Sequence, residues 1–213
     1  MRATLLCANP VVAVHDEVFD AAAAAAAIAA GKDHLERAGV TTMTGAEISD
    51  VRSNRHARID QWSVPELADL VLRVSSLVRM PPEHCEQAKL LHYTGTEKFD
   101  LHHDAYHGFN PGAAIELRNG GQRLFTTLCY LNNVEGGGET EFPELKIAVR
   151  PRLGRVLLFS NTTPGTVEQH PHAVHAGRPV TSGEKWVLSL WWREQIAHVY
   201  RDYPAEDGET QVF

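Results

Sequence analysis

The segment Phe99–Asp104 carries side chains that could bind a metal ion, since it contains His102, His103 and Asp104. On a β-strand, residues two apart face the same side, so His102 and Asp104 can hold one ion while His103 points away. A downstream histidine would complete a two-histidine, one-carboxylate facial triad, which leaves coordination positions open for oxygen chemistry. The downstream candidates for this third ligand are His170, His172 and His175. A short His-x-Asp pattern is common by chance, so the rest of the chain must decide.

The composition excludes several functional classes. The 213 residues include 12 histidines and carry a net charge of −7, a balance that disfavours binding to nucleic acid. Three widely spaced cysteines, Cys7, Cys85 and Cys129, favour a reducing compartment without a disulfide framework, and we expect a cytoplasmic protein. No run approaches the roughly 20 apolar residues of a membrane-spanning helix, so no membrane partner is expected.

Helical signals dominate residues 18–80. Asp20 precedes seven consecutive alanines, which favour a helix, and Gly31 follows as a candidate C-cap. The sequence Ser63-Val64-Pro65-Glu66 predicts a capping box at the start of a second helix. The apolar residues that then recur at helical spacing are typical of a buried face: Leu67, Leu70, Val71, Val74, Leu77 and Val78.

After Pro81 and Pro82 the pattern changes to short apolar runs separated by glycine turns. The predicted strands are Ala88–Tyr93, Arg123–Leu131, Lys146–Val149, Arg155–Ser160 and Lys185–Trp192. Many short strands of this kind predict a sandwich or barrel. We therefore expect a mainly β protein of one domain, with a helical support layer over about 1–80, a β core over about 88–195 and a C-terminal tail over 196–213.

Five segments in a fixed order resemble prolyl 4-hydroxylase-type Fe(II)/2-oxoglutarate-dependent dioxygenases. They are Tyr93–Asp104, Gly121–Asn132, Glu135–Leu145, Pro151–Phe159 and His175–Trp186. The resemblance implies a double-stranded β-helix, or jelly roll. It also implies that His102, Asp104 and His175 bind Fe(II), with 2-oxoglutarate and O2 as co-substrates, and it leaves ascorbate open as a reductant.

The resemblance also implies a pocket for 2-oxoglutarate. Lys185 follows His175 by ten residues, where this family places the cation that pairs with the distal carboxylate. A buried lysine needs such an anion. Tyr93, Thr126 and Tyr130 stand where the family places hydroxyl groups against the co-substrate. Ordinary strand packing explains Thr126 and Tyr130 almost as well.

The substrate is less well defined than the co-substrates. Arg123, Arg193 and Trp191 are the candidate substrate-contacting residues, although related hydroxylases can carry a histidine at the Arg193 position. The resemblance implies hydroxylation of an unactivated C–H bond, foremost of a prolyl residue in a peptide, with conversion of 2-oxoglutarate to succinate and CO2. The sequence gives no oligomeric state.

Other functions remain as alternatives. The same chemistry could act on a free amino acid or small metabolite, and a jelly-roll module that only binds ligands is a less favoured possibility. A nucleic-acid demethylase would be expected to use arginine against 2-oxoglutarate and to present a basic face, which the net charge disfavours. A zinc hydrolase would favour nitrogen or sulfur ligands with an adjacent general base.

Overall fold

The computed structural model describes residues 1–42, 45–47, 51–107 and 111–197, and antiparallel strands form its core. The helices are α1 (Ala21–Gly31), α2 (Pro65–Val78) and α3 (Pro111–Arg118). The strands are β1 (Arg2–Ala8), β2 (Val11–Asp16), β3 (Glu36–Arg37), β4 (Val40–Thr42), β5 (Gly45–Glu47), β6 (Arg55–Ile59), β7 (Ala88–Thr94), β8 (Phe99–His102), β9 (Arg123–Tyr130), β10 (Gly136–Gly137), β11 (Thr140–Phe142), β12 (Ile147–Val149), β13 (Arg155–Ser160), β14 (His175–Gly177), β15 (Val180–Ser182) and β16 (Glu184–Arg193).

Two facing sheets form the predicted jelly roll. The major sheet has the strand order β1-β2-β13-β9-β16-β7-β6-β3, and the minor sheet has the order β12-β11-β14-β8. Short pairs join β10 to β15 and β4 to β5. Apolar side chains from both sheets fill the space between them: Leu91, Tyr130, Leu157, Phe159 and Val187 on the major sheet, and Phe142, Val149 and Val180 on the other side. The five predicted strands are all present, with ends that differ by one residue at most.

Helices α1 and α2 cover the outer face of the major sheet, as the apolar stripe of α2 predicted. The Leu67, Leu70 and Val74 side chains are buried against the sheet, in a cluster that includes Leu190 and Trp192. Asp20 caps α1 by accepting a 3.0 Å hydrogen bond from the Ala23 amide.

The predicted caps beside these helices need correction. Val64, not Ser63, is the N-cap of α2, and the Ser63 hydroxyl donates instead to the Asp60 carbonyl. Gly31 is the last residue of α1, and Lys32 is the cap residue.

The N-terminal segment contains more strand than the predicted helical layer. β1 and β2 extend one end of the major sheet through β13, while β6 and β3 extend the other end through β7. β6 reads Arg-His-Ala-Arg-Ile, in which only Ala57 and Ile59 are buried, so its alternation carries little apolar signal. Residues 198–213, most of the predicted tail, lie outside the described residues. Among the described helices, none has the length and apolar character needed to span a bilayer.

Candidate metal and co-substrate site

The minor sheet brings His102 and His175 face to face. In the antiparallel pairing of β8 with β14, His102 stands directly opposite His175, and their ring centroids are 4.3 Å apart. The strand ends at His102, so Asp104 lies in the turn that follows rather than on the strand as predicted. Its carboxylate oxygens nevertheless lie 3.6 Å from His102 Nε2 and 3.7 Å from His175 Nε2. The three predicted ligands therefore converge.

Backbone carbonyls fix the orientation of both imidazoles. His102 Nδ1 lies 2.7 Å from the Asp100 carbonyl oxygen, and His175 Nδ1 lies 3.0 Å from that of Ala173. Each Nδ1 must donate to its carbonyl, which leaves the Nε2 lone pair directed at Asp104. Burial and the neighbouring His175 ring lower the pKa of His102, so the neutral ligand form prevails.

A short hydrogen-bond chain holds the Asp104 carboxylate. Thr126 Oγ1 donates to Asp104 Oδ2 at 2.7 Å and accepts from Asn161 Nδ2 at 2.9 Å. Burial opposes ionisation of Asp104, but the His175 and His102 rings and the Arg123 guanidinium outweigh it and lower the pKa of the carboxyl. The group is therefore an anionic ligand at neutral pH.

Removal of the Thr126 hydroxyl should weaken metal binding without touching the metal. In a Thr126→Val variant, a side chain of nearly the same shape leaves Asp104 Oδ2 without its donor, and we expect metal affinity to fall 10–100-fold. Isothermal titration of Mn(II) under argon measures this loss. A Thr127→Val variant, from the adjacent position on the opposite face of β9, is the matched control. Unchanged Mn(II) affinity in Thr126→Val would show that the hydroxyl does not support the ligand.

The donor set fits a divalent iron ion. The ligand atoms of His102, Asp104 and His175 all lie within 4.8 Å of one another. Ligands at adjacent octahedral positions stand roughly 3 Å apart, so closing the triad needs small side-chain shifts only. Two imidazoles and one carboxylate on one face are the ligands typical of non-haem Fe(II) oxygenases.

Lys185 lies in the same cavity but on the major sheet. The cavity between the sheets has a volume of about 420 Å³ including its open mouth, and Lys185, which is 2% exposed, lines it together with all three triad residues. Its ammonium lies 4.9 Å from the centre of the Tyr93 ring and has no ion pair with the described residues. Burial lowers the pKa of Lys185 to about 7. A ligand carboxylate would supply the missing counter-charge.

Lys185 shares the cavity face of β16 with three further residues. Val187, Ser189 and Trp191 line the cavity with it. Trp186, Leu188, Leu190 and Trp192 pack on the opposite face of the sheet, against the helices.

The three predicted hydroxyl residues occupy different positions. Tyr93 lines the cavity, and burial raises its pKa to about 12, so its hydroxyl stays protonated and able to donate. Tyr130 is fully buried and donates to Thr140 Oγ1 at 2.8 Å. Thr126 donates to Asp104, as described above. Of the three, Tyr93 is the one that lines the cavity.

Comparison with known proteins identifies the family of this fold and site. Residues 88–193 match the model of the 2OG-Fe(II) oxygenase superfamily, a range that contains the triad and Lys185. The chain belongs to the 2OG-Fe(II) oxygenase superfamily. Prolyl 4-hydroxylase 2 of Arabidopsis thaliana is 30% identical over 187 residues, which cover 77% of this chain and 60% of that protein. Prolyl 4-hydroxylase 13 of the same plant is 32% identical and is covered over 58% of its length. The chain thus spans about three fifths of these relatives.

Solved structures show the same oxygenase fold. The viral collagen prolyl hydroxylase of Paramecium Bursaria Chlorella virus-1, solved as a 2OG complex, aligns with a TM-score of 0.64 at 24% identity, covering 85% of this chain and 95% of that one. A Pseudomonas putida prolyl-4-hydroxylase aligns with a TM-score of 0.58 at 17% identity, covering 86% and 92%. At these identities the likeness supports the fold.

The predicted substrate-contacting arginines of this oxygenase are held by other protein groups. Arg193 is 3% exposed, and its guanidinium donates to Glu86 and to the carbonyls of Glu116 and Gly121. A substrate-contacting role for Arg193 does not fit this position. Arg123 forms a bidentate pair with Glu86 at 2.6 and 2.7 Å.

Trp191, the third predicted substrate residue, does line the cavity. The Arg123 guanidinium lies 4.3 Å from the centre of the Trp191 ring, but Arg123 itself is not among the residues that line the cavity. Trp191 remains a candidate for substrate contact.

Two residues of this site escaped the sequence analysis. Arg52 lines the cavity, where its guanidinium lies 4.4 Å from the centre of the Phe99 ring, and that ring stacks on His102 at 3.4 Å. Glu86 is the shared acceptor of the two arginines. Neither stands in a recognisable motif, and only the three-dimensional packing reveals them.

The two rival histidines lie outside the ligand cluster. His170 Nδ1 accepts a hydrogen bond from the His172 amide at 3.1 Å, while the His172 side chain is exposed. Within the described ranges, the group whose atoms could hold an ion contains His175 and neither of these residues. The geometry therefore agrees with the choice of His175 that the resemblance implied.

Proposed function

We propose that this chain is an Fe(II)- and 2-oxoglutarate-dependent hydroxylase of prolyl residues in peptides or proteins. One observation carries the proposal: a two-histidine, one-carboxylate face lines the same cavity as a buried lysine that has no ion pair among the described residues. A chelating diacid that pairs with Lys185 and reaches the metal face would use both.

Each residue has a defined task in this proposal. His102, Asp104 and His175 would hold Fe(II), which with 2-oxoglutarate and O2 supplies oxidation of an unactivated C–H bond, yielding succinate and CO2. Lys185 binds the distal carboxylate of the co-substrate, and the protonated Tyr93 hydroxyl donates to it. Apolar cavity walls exclude water from this site; they are formed by Leu91, Leu128 and Val187.

The prolyl substrate is inferred from relatives. The Arabidopsis proteins named prolyl 4-hydroxylases align over more than two thirds of this chain. A free amino acid or small metabolite is the competing substrate class. The three cysteines are free, and two of them are buried, which supports our proposal of a reducing, cytoplasmic location. We propose ascorbate as the reductant that restores oxidised iron.

The function can be tested by following oxygen and succinate together. Purified protein is incubated with Fe(II), 2-oxoglutarate and ascorbate, and with either a library of proline-containing peptides or free amino acids. We expect a mass gain of about 16 units on prolyl residues, matched by an equal amount of succinate. Zn(II) in place of Fe(II) should abolish both products.

Two outcomes would contradict the proposal. Oxygen gain confined to free amino acids would move the substrate to the small-molecule class. Tight binding of peptide without succinate or mass gain, in protein shown to contain Fe(II), would indicate a binding module without turnover. Omission of ascorbate, with its effect followed over many turnovers, tests the reductant separately.

A further inference from the structure

The outer end of the cavity, lined by Ser189 and Trp191 and flanked by Lys89, lies beyond the reach of the co-substrate. In the pairing of β7 with β16, Lys185 stands opposite Tyr93, and Ser189 stands opposite Lys89. Four residues of extended strand separate Lys185 from Ser189, a distance of roughly 13 Å. A five-carbon diacid held by Lys185 is shorter than this. The outer end is therefore available to the substrate.

Two buried donors at this end find no acceptor within the described part of the chain. Ser189 Oγ and Trp191 Nε1 belong to side chains that are 1% and 5% exposed and that line the cavity. Neither atom has a hydrogen-bond partner among the described residues. A buried donor without a partner costs free energy, and the indole N–H can only donate. Acceptor groups of a bound ligand would satisfy both atoms.

The Lys89 ammonium lies beside these two donors at the outer end of the cavity. The Lys89 ammonium lies 4.8 Å from the centre of the Trp191 ring, and in the described part of the chain it has neither an ion pair nor a hydrogen bond. The nearby acid, Glu86, is already bound by Arg123 and Arg193. Burial and the charge of Arg123 lower the pKa of Lys89 to about 8, which is the behaviour of a cation that lacks a counter-charge.

Further positive charge surrounds Lys89 on the cavity face. Arg58 stands opposite Lys89 in the pairing of β6 with β7, and Arg52 lines the cavity itself. His56, on the same face of β6, adds no charge at neutral pH, because burial and these cations lower its pKa to about 4; it lies 3.4 Å from the Glu36 carboxylate. This positive end belongs to a chain with a net charge of −7. Such a local reversal of sign is what electrostatic recognition of an anion requires.

We infer that the substrate is an acidic peptide, in which an aspartate or glutamate side chain close to the hydroxylated proline pairs with Lys89 while Ser189 and Trp191 donate to peptide carbonyls. The inference rests on the proposed function and specifies its substrate class. Peptides that present a neutral side chain at that position still fit the cavity but leave Lys89 without a counter-charge.

Matched peptides test the inference. A proline-containing peptide carries one glutamate at each position within three residues of the proline in turn, and a second set carries glutamine instead. We expect one position at which glutamate raises kcat/KM roughly tenfold over glutamine. Fluorescence anisotropy with metal-free protein should show the same preference in Kd, which separates recognition from turnover.

Variants identify the residue responsible. In Lys89→Gln the ratio of kcat/KM for the glutamate peptide to kcat/KM for the glutamine peptide should fall close to one. Lys32→Gln, a change at an exposed lysine on the helical side, should keep the wild-type ratio. In Lys89→Glu the preference should reverse toward a peptide with lysine at that position. Thermal melting confirms that each variant is folded.

The failures of the two proposals are distinguishable. Equal use of glutamate and glutamine peptides at every position, or an unchanged preference in Lys89→Gln, would overturn the acidic-peptide inference and leave prolyl hydroxylation intact. Absence of oxygen gain on every peptide, with Fe(II) bound, would instead overturn the proposed function.

Discussion

Replacement of His175 by alanine is expected to lower succinate formation by roughly 1000-fold and to abolish tight Fe(II) binding, because one of three ligands is lost. His175 is 4% exposed, and its ring packs against Phe159 with centroids 4.6 Å apart. Anaerobic titration with Fe(II) and 2-oxoglutarate should therefore give the visible charge-transfer band in the wild-type protein and none in His175→Ala.

The control for this result is His172→Ala, because His172 is the exposed histidine three residues earlier in the chain. This variant should keep the band and the rate. An Asp104→Asn variant tests the carboxylate with almost no change in shape, which covers the case in which the alanine variant folds poorly. The assignment of His175 as the third ligand would be wrong if His175→Ala kept the wild-type band or if His172→Ala lost it.

The local pattern of the β core could be read from the sequence. Apolar runs between glycine turns predicted five strands with ends correct to one residue, because each run is buried on at least one face and stops where the chain must turn. The resemblance implied that Lys185 faces the co-substrate, and strand alternation then puts Trp192 on the opposite, helix side, as observed. Period-two burial is a property of a strand alone, so it needs no knowledge of the partner strands.

Contacts between residues far apart in the chain could not be predicted from the local sequence pattern. Nothing local shows that His102 pairs across strands with His175, and the resemblance to a family was needed to choose it over His170 and His172. Thr126 was a candidate co-substrate residue because the family places a hydroxyl group at this position, yet its hydroxyl donates to Asp104. Arg193 was misassigned because its partner Glu86 lies far away in the chain.

In the N-terminal segment, strong helical signals hid strands whose own sequence pattern is weak. The alanine run and the α2 stripe are strong helical signals, and they led to a helical layer over the whole segment. β6 has two arginines and one histidine among five residues, and it is a strand because β7 offers it a free edge. Arg52, which precedes β6, forms an antiparallel bridge with Phe99 at the start of β8 and lines the cavity. A residue of the site was thus hidden in the segment with the weakest strand pattern.

Loss of the Lys185 charge is expected to weaken 2-oxoglutarate binding about 100-fold, since a carboxylate would otherwise be buried beside an apolar side chain. A Lys185→Met variant keeps the length and packing of the side chain but removes the ammonium. Isothermal titration of 2-oxoglutarate against protein loaded with Mn(II) under argon gives the Kd. Mn(II) affinity itself should not change, because Lys185 is not a ligand; a parallel fall in both affinities would point to a general structural effect.

The same lysine predicts the pH dependence of co-substrate binding. Burial lowers the pKa of Lys185 to about 7, and Glu139 only partly opposes this, so the ligand-free side chain loses its proton near neutral pH. A bound carboxylate favours the ammonium, which means that binding above pH 7 must take up a proton. We therefore expect a nearly constant Kd below pH 7 and a Kd that rises up to about tenfold per pH unit above it.

Because arginine stays charged throughout this range, the Lys185→Arg variant should bind 2-oxoglutarate with a flat pH profile. Titrations at pH 6.5, 7.5 and 8.5 compare the two proteins, and an equal slope in both would assign the proton to another group.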